Sequence, residues 1–223
     1  MNGTKLQRFG FYTAVLVVLL NAGFTVTLIM FPTPAWISIE HYNDAFDQVQ
    51  MVPMAFAFAL AVAVLVLFVI VRRTKESEKT IFGDIGLALI LLYVPLVCLN
   101  YFLQMTVVTG NALANNLDQY LELIVMANPA SITLSMDILG YLFLSMGALF
   151  FAAQFGGKSM DEAIRYALLA TGIMGVIGVI GYMLDHEGLG FLLMISGAIF
   201  LVACALIALR FRSLGKVMEK VPG

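Results

Sequence analysis

Six long apolar runs dominate this 223-residue chain and restrict what it can fold into. Each run is about 20 residues or longer, the length that an α-helix needs to cross the hydrocarbon core of a bilayer. The runs cover residues 10–31, 52–71, 85–108, 130–155, 164–184 and 189–209. Because a helix satisfies its backbone polar groups internally, it can span lipid without water. The sequence therefore predicts an all-α fold: one polytopic domain, residues 1–223, built as a bundle of six transmembrane helices.

The composition supports the same prediction. Hydrophobic residues make up 61% of the chain and charged residues 12%, whereas a soluble domain is roughly 25% charged. The two cysteines, Cys98 and Cys204, fall inside apolar runs, which favours a packing role over a disulfide or a thiolate metal site. We expect the lipid bilayer to be the main partner, and we expect no nucleic-acid partner.

All twelve lysines and arginines fall on one side of the predicted bundle. They precede the first run, join the second to the third and the fourth to the fifth, and follow the sixth. They are Lys5, Arg8, Arg72, Arg73, Lys75, Lys79, Lys158, Arg165, Arg210, Arg212, Lys216 and Lys220. Because cytoplasmic connections carry the excess of basic residues, the pattern predicts a multi-pass plasma-membrane protein with both termini in the cytoplasm.

The opposite connections are acidic and aromatic. Between the first two runs, three aromatic residues suit the belt at the membrane–water interface: Trp36, Tyr42 and Phe46. Between the third and fourth runs, apolar residues repeat at helical spacing, while Asp118 and Glu122 share another face. The apolar set is Leu117, Tyr120, Leu121, Ile124 and Val125. We expect a short helix lying on the outer interface.

Several helices carry features that predict their ends or surroundings. Asn128 suits the N-cap and Pro129 the first residue of the fourth helix, which we expect to reach the glycines at 156–157. The second run has no polar side chain over 55–71, which favours a position facing lipid. Small residues allow helix backbones to approach closely in a membrane. The fifth run should therefore pack tightly through Gly172, Gly175, Gly178 and Gly181.

One carboxylate, Asp137, lies inside the fourth run. At 1.5 Å per residue from Pro129, it is roughly 12 Å deep, and an ionisable residue at that depth marks a candidate functional site. Other polar residues lie at a similar depth or on the same helix face. Together with Asp137, the predicted ligand-binding set is Asn21, Asn100, Gln104, Thr133 and Tyr141.

Two interpretations of Asp137 stay open at this point. A buried carboxylate must be paired, coordinated to a cation or protonated, because an isolated charge in low dielectric is costly. The predicted outer half contains no lysine or arginine to pair with it. Asp137 is therefore either protonated and hydrogen-bonded to Asn100 or Gln104 as an interhelical contact, or the site of an incoming proton, cation or small ligand.

The outer rim offers a second candidate site, for a divalent metal. His41 lies beside acidic residues in the first outer connection, and Asp185, His186 and Glu187 form the last one. Imidazole and carboxylate groups are common metal ligands, but this spacing matches no established motif, and a solvated acidic rim is the alternative. No sequence motif points to a catalytic centre or identifies a cofactor.

Two segments carry a family resemblance: NYFLQMTVV at 100–108 and NPASITLSMDILGYLFLSMGALFFAAQF at 128–155. The C-terminal half of the chain resembles small polytopic membrane proteins of bacteria and archaea that are grouped as a domain of unknown function. The resemblance implies six helices and no activity.

Three hypotheses for function follow from these patterns. The first is binding or passage of a small ligand, proton or cation at Asp137. The alternatives are a non-catalytic subunit that binds lipid or assembles a membrane complex, and an intramembrane enzyme. A homo-oligomer is compatible with each of them, and the sequence does not identify the ligand.

Overall fold

The computed structural model describes residues 3–74, 80–116, 119–157 and 159–219 of the chain. Within these ranges the protein is helical and contains no β-strand. The helices are α1 (Gly3–Met30), α2 (Ile39–Asp44), α3 (Val52–Thr74), α4 (Thr80–Leu103), α5 (Thr109–Leu113), α6 (Gln119–Ile124), α7 (Ile132–Ala152), α8 (Ser159–Met183), α9 (Glu187–Gly190) and α10 (Leu192–Glu219). A 3₁₀ turn, Gln48–Met51, precedes α3, and a π turn, Gln104–Val108, joins α4 to α5.

Six helical segments are long and apolar enough to cross a membrane, which confirms the predicted all-α six-helix bundle. They are Lys5–Met30, Gln48–Thr74, Ile81–Leu113, Ile132–Ala152, Ser159–Met183 and Glu187–Gly215. Large apolar side chains such as Ile29 and Met183 are exposed on these segments. Large apolar side chains exposed along such helices are typical of contact with lipid. The chain is therefore an integral, multi-pass membrane protein.

The prediction for the start of the fourth helix was wrong. α7 begins directly after Ser131, whose Oγ accepts a hydrogen bond of 3.1 Å from the backbone N–H of Leu134 and so acts as the N-cap. The side chain of Asn128 instead holds the preceding turn through hydrogen bonds of 2.8 and 3.0 Å to backbone groups. Pro129 belongs to that turn, and α7 ends at Ala152, before the glycine pair.

The predicted lipid-facing position of the second span was also wrong. Half of its most apolar window, 50%, is buried within the protein, compared with 17% for the first span. Leu67 and Phe68 are completely buried, and the Phe68 ring lies 4.5 Å from the ring of Phe151. A helix without polar side chains packs against other helices through dispersion contacts as readily as against lipid. The absence of polar side chains therefore does not predict whether the helix faces lipid or protein.

Contacts divide the chain into two compact units, which are described separately. Unit 1 comprises Met1–Leu19, Ala63–Tyr93 and Tyr141–Gly223, and unit 2 comprises Leu20–Val62 and Val94–Gly140. All twelve lysines and arginines belong to unit 1. Four of them, Lys75, Lys79, Lys158 and Lys220, lie outside the described residues, as does the side chain of Lys216.

In unit 1, the glycines of α8 are buried where α7, α9 and α10 approach it, which confirms the predicted tight packing of this helix. A methyl group added at Gly178 would lie 2.5 Å from the backbone nitrogen of Leu193. The hydroxyl of Ser196 on α10 donates a hydrogen bond of 2.8 Å to the carbonyl of Thr171 on α8. The two helices therefore meet through small residues and a buried hydrogen bond.

Two ion pairs tie the basic ends of the unit 1 helices together. Arg72 on α3 forms a bidentate pair with Asp84 on α4, with nitrogen–oxygen distances of 2.7 and 3.0 Å. Arg210 on α10 pairs with Asp161 in the first turn of α8, and its guanidinium lies 5.8 Å from the centre of the Phe155 ring. The second pair is largely buried. These two arginines therefore link helices in addition to any role in orientation.

In unit 2, the short helices α2 and α6 pack into an apolar cluster. Ile39, Tyr42, Val108, Leu121 and Val125 are all buried in it. Tyr42 was predicted to lie in an interfacial belt, but only 1% of it is exposed, and burial raises the pKa of its hydroxyl to about 12. The ring of Tyr42 contacts those of its belt partners, Trp36 and Phe46, which pack against the cluster.

The predicted outer helix exists as α6, but its apolar face packs on protein. Leu121 and Val125 are four residues apart, so they point to the same side, and both are buried in the unit 2 cluster. Tyr120, which was predicted to share that face, is exposed instead. Leu117 and Asp118 lie outside the described residues.

Candidate functional site

Asp137 lies in unit 2 on the first part of α7. The Ser131 N-cap fixes the start of the helix, so Asp137 comes six residues later, about 9 Å along the helix axis. Only 6% of Asp137 is exposed. Thr133 precedes it by four residues, shares its helix face and is also buried. A carboxyl group is thus buried in a membrane-spanning helix that carries no other charged side chain.

Two side chains of α4 donate hydrogen bonds to the Asp137 carboxyl group. They are the amide of Asn100 and the hydroxyl of Tyr101, and both residues are buried. The other carboxyl oxygen, Oδ1, is buried without a hydrogen-bond partner among the described residues. Because buried polar atoms are nearly always paired, an open carboxyl oxygen requires an explanation. Oδ1 retains the capacity to accept a further donor or to bind a cation.

Gln104, four residues after Asn100 on the same face of the helix, clamps the segment that follows α6. Its Nε2 donates to the carbonyl oxygen of Ile124 at 2.7 Å, and its Oε1 accepts from the backbone N–H of Met126 at 3.0 Å. The hydroxyl of Thr133 donates to the same Ile124 carbonyl at 2.9 Å. Gln104 therefore satisfies backbone groups at the end of α6 and just after it, so its role here is structural.

Asn100 connects this clamp to Asp137. Its Oδ1 lies 3.4 Å from Nε2 of Gln104, and its Nδ2 lies 3.1 Å from the sulfur of Met126. A continuous polar path thus runs from the carboxyl group through one amide to a second amide. The structure brings together four residues of the predicted ligand-binding set: Asp137, Asn100, Gln104 and Thr133.

The π turn at Gln104–Val108 lies directly beside this path. The hydroxyl of Thr109 donates a hydrogen bond of 2.9 Å to the carbonyl of Gln104 and so satisfies one of the backbone groups at the turn. Single π turns inside α-helices occur frequently at functional sites. No signal in the sequence predicts the π turn, because no residue type specifies one.

The remaining two residues of the predicted set are Asn21 and Tyr141. Asn21 is half-buried on α1 in unit 2, and its backbone carbonyl accepts a hydrogen bond of 3.0 Å from the hydroxyl of Thr25. Tyr141 belongs to unit 1, where its ring centre lies 6.1 Å from that of Tyr93. The hydrogen-bonding partner that the sequence did not predict is Tyr101, since a tyrosine in an apolar run is usually a packing residue.

The candidate metal ligands of the outer rim do not form a metal-binding cluster in the part of the chain that the structure describes. Among the described residues, no three histidine, cysteine, aspartate or glutamate side chains form a group that could hold a metal ion. His41 is exposed on α2, and Nδ1 of His186 accepts from the backbone N–H of Leu189 at 3.3 Å as the N-cap of α9. Asp185 adopts a positive φ of 52° in the turn before it, and Glu187 is exposed.

Comparisons with known proteins give no match: no protein-family model, no curated protein and no solved structure is significantly similar to this chain. The resemblance to a group of bacterial and archaeal membrane proteins stays a prediction, and the function must be inferred from the site itself.

Proposed function

We propose that the protein binds a proton or a small cation at Asp137, within the membrane. The observation that carries the proposal is the open Oδ1 of this carboxyl group, which is buried and has no described hydrogen-bond partner. Hydrogen bonds from Asn100 and Tyr101 orient the carboxyl group. An ionisable residue inside a transmembrane segment is rare unless it acts on ions or protons.

The charge distribution supports a positive ligand. Unit 2 contains six acidic residues and neither lysine nor arginine. The acidic residues are Glu40, Asp44, Asp47, Asp118, Glu122 and Asp137. An ionised Asp137 therefore has no internal basic partner in its own unit, and a neutralising charge has to come from solution. Exposed carboxylates such as Asp44 and Glu122 would raise the local concentration of cations.

A purely structural role for the polar path is the second candidate, and the clamp by Gln104 favours it. In that case Asp137 is protonated and acts as an interhelical contact worth on the order of 1 kcal/mol. Such a protein would serve as a non-catalytic assembly or lipid-binding subunit. The two candidates differ in whether Asp137 exchanges charge with the solution.

The test compares the wild type with Asp137→Asn and with Glu122→Gln, which removes one charge from an exposed position of the same unit. Melting temperatures are measured in detergent from about pH 5 to about pH 9, with and without Na⁺, K⁺ or Ca²⁺. We expect a cation to stabilise the wild type and to do so more strongly as the pH rises, because protons compete for the same carboxylate. At a concentration of about 100 times Kd the stabilisation is about 2.7 kcal/mol.

The Asp137→Asn protein should lose this dependence, since an amide cannot exchange a charge, while Glu122→Gln should keep it. If the three proteins respond identically to pH and to every cation, Asp137 has no charge-handling role. Asp137→Leu then reports its structural value, with an expected loss of about 1 kcal/mol.

A further inference from the structure

Two side-chain amides beside Asp137 are fixed in one orientation by the backbone of the segment after α6. Nε2 of Gln104 donates to the carbonyl oxygen of Ile124 at 2.7 Å, and Oε1 accepts from the N–H of Met126 at 3.0 Å. Rotating this amide by half a turn would point a donor at that N–H and an acceptor at that carbonyl. The backbone therefore decides that Gln104 turns its nitrogen toward Asn100, whose Oδ1 lies 3.4 Å away.

The orientation of Asn100 follows from that of Gln104. With its oxygen facing Gln104, Asn100 directs its amide nitrogen toward the sulfur of Met126, at 3.1 Å, and toward the carboxyl group of Asp137. A side-chain amide has two N–H donors and one acceptor oxygen, so each of these groups is then in use. Asn100 therefore meets Asp137 as a fixed donor, which is the partner that a carboxylate needs.

Asp137 carries the only charge in the segments that build this site. Residues 94–108 and 124–140 contain no other charged residue. The remaining acidic residues of unit 2 that the structure describes are exposed: Glu40, Asp44, Asp47 and Glu122. A divalent ion at Asp137 would leave one buried positive charge uncompensated, which is costly, whereas a monovalent ion is neutralised completely. The site is therefore matched in charge to a monovalent ligand.

Hydrogen bonding favours a metal ion over a proton. Both would neutralise Asp137, whose two recorded neighbours, Asn100 and Tyr101, act as donors to it. A proton on Oδ1 would create an O–H group at a position where the described residues provide this oxygen with no hydrogen-bond partner. A metal ion instead uses the open oxygen as a ligand and brings water for its remaining positions.

Thr133 offers a second oxygen on the same helix face, one turn before Asp137. Its hydroxyl donates its hydrogen to the carbonyl of Ile124 at 2.9 Å. A hydroxyl group has one hydrogen and two lone pairs, so the oxygen of Thr133 keeps acceptor capacity for a cation.

We propose that this site binds a monovalent metal cation, Na⁺ or K⁺, through Oδ1 of Asp137 and the hydroxyl oxygen of Thr133, which rests on the proposed function of Asp137 and specifies its ligand. Asn100 is a positioning residue that orients the carboxylate, and Gln104 keeps Asn100 in its donating orientation. Replacing that donor by a second carboxylate should therefore change the charge that the site selects.

The test uses the full-length protein in mild detergent at about pH 8, where protons compete weakly for a carboxylate. The chloride of Na⁺, K⁺ or Ca²⁺ is titrated at constant ionic strength, balanced with N-methylglucamine chloride, so that the screening of exposed charges stays the same. The apparent Kd is read from the rise in melting temperature. The variant Asn100→Asp supplies the second carboxylate. Its matched control is Asn116→Asp, at an exposed amide of unit 2 that donates to the amide oxygen of Asn111 at 2.8 Å.

We expect Na⁺ or K⁺ to stabilise the wild type and Ca²⁺ to bind at least about tenfold more weakly. Asn100→Asp should gain at least about tenfold in affinity for Ca²⁺, because two carboxylates balance a divalent charge. Asn116→Asp should change by less than about threefold, since an exposed charge is screened.

Thr133 gives a second comparison that does not add a buried charge. Thr133→Val keeps the shape of the side chain but removes its oxygen, so the affinity for Na⁺ or K⁺ should fall at least about fivefold. Thr133→Ser keeps the oxygen and should stay within about twofold of the wild type. Equal affinities in the two variants would exclude Thr133 as a ligand and overturn the proposed site.

The remaining outcomes separate the metal ion from the proton. A wild type that responds to pH through Asp137 but to neither Na⁺ nor K⁺ overturns the metal-ion proposal and leaves the proton as the ligand of the proposed function. Equal affinity of the wild type for Ca²⁺ and for the monovalent ions also overturns it, as does an equal gain in Asn116→Asp. If neither pH nor any cation acts through Asp137, the proposed function fails as well.

Discussion

At the scale of single residues, the polar side chains of unit 2 divide into two kinds. Gln104 has both ends of its amide occupied by backbone groups, so it has little capacity left for a ligand. Asp137 has one oxygen occupied and one open. Residues of similar polarity and depth can therefore differ in role, and the difference lies in which hydrogen-bonding positions remain unused.

The structural role of Gln104 predicts a large effect on stability. Gln104→Leu removes the acceptor of the Met126 N–H and one of two donors to the Ile124 carbonyl, which keeps its bond from Thr133. A buried backbone group without a partner costs roughly 1 to 3 kcal/mol. We expect a loss of that size in the free energy of unfolding, measured by denaturant titration in micelles.

The matched control is Gln50→Leu. The Gln50 amide also donates to a backbone carbonyl, that of Ala45, but at 3.3 Å and in a hydrogen bond that is exposed to solvent. Water replaces this bond when it is lost, so the change in unfolding free energy should stay within about 0.5 kcal/mol. Equal losses of unfolding free energy for the two variants would show that the buried hydrogen bonds of Gln104 contribute no more to stability than an exposed one.

At the scale of secondary-structure elements, the sequence was informative where one physical rule dominates. The length of the apolar runs predicted the spans, and the glycines of α8 predicted close packing. The start of α7 was less predictable, because Asn128 and Ser131 are both good N-caps and only tertiary contacts choose between them. The burial of α3 could not be predicted, since leucine and valine face lipid and protein equally well.

The α8–α10 contact predicts opposite effects for two glycine substitutions. At Gly178 an added methyl group would meet the backbone nitrogen of Leu193 at 2.5 Å and its Cα at 2.9 Å, and backbone atoms cannot rotate away. Gly178→Ala should therefore destabilise the protein by about 1 to 3 kcal/mol. At Gly197, on α10, nothing lies within 4 Å of the added group, so Gly197→Ala should gain up to about 1 kcal/mol of helix propensity.

Both glycine variants are measured by the same denaturant titration, side by side with the wild type. Loss of stability in Gly197→Ala, or none in Gly178→Ala, would contradict the view that backbone proximity decides the outcome.

At the scale of the whole molecule, one charge pattern links sequence and structure. The lysines and arginines that predicted orientation all belong to unit 1, while unit 2 contains only acidic charges. The candidate Asp137 site was partly predictable, because depth along a helix follows from counting residues. Its hydrogen bond to Tyr101 was not, since the rotation of one helix against another depends on packing that no single side chain specifies.

The orientation itself gives the last prediction: the connection that contains Asp44 should face the exterior, and the end of α10 should face the cytoplasm. A background with Cys98→Ala and Cys204→Ala removes both natural thiols, and a single cysteine is then placed at Asp44 or at Ser213, which are both exposed. The basic connections should stay inside because they resist translocation. A membrane-impermeant maleimide should therefore label Asp44→Cys in intact cells and Ser213→Cys only after permeabilisation. The reverse pattern would place the termini outside.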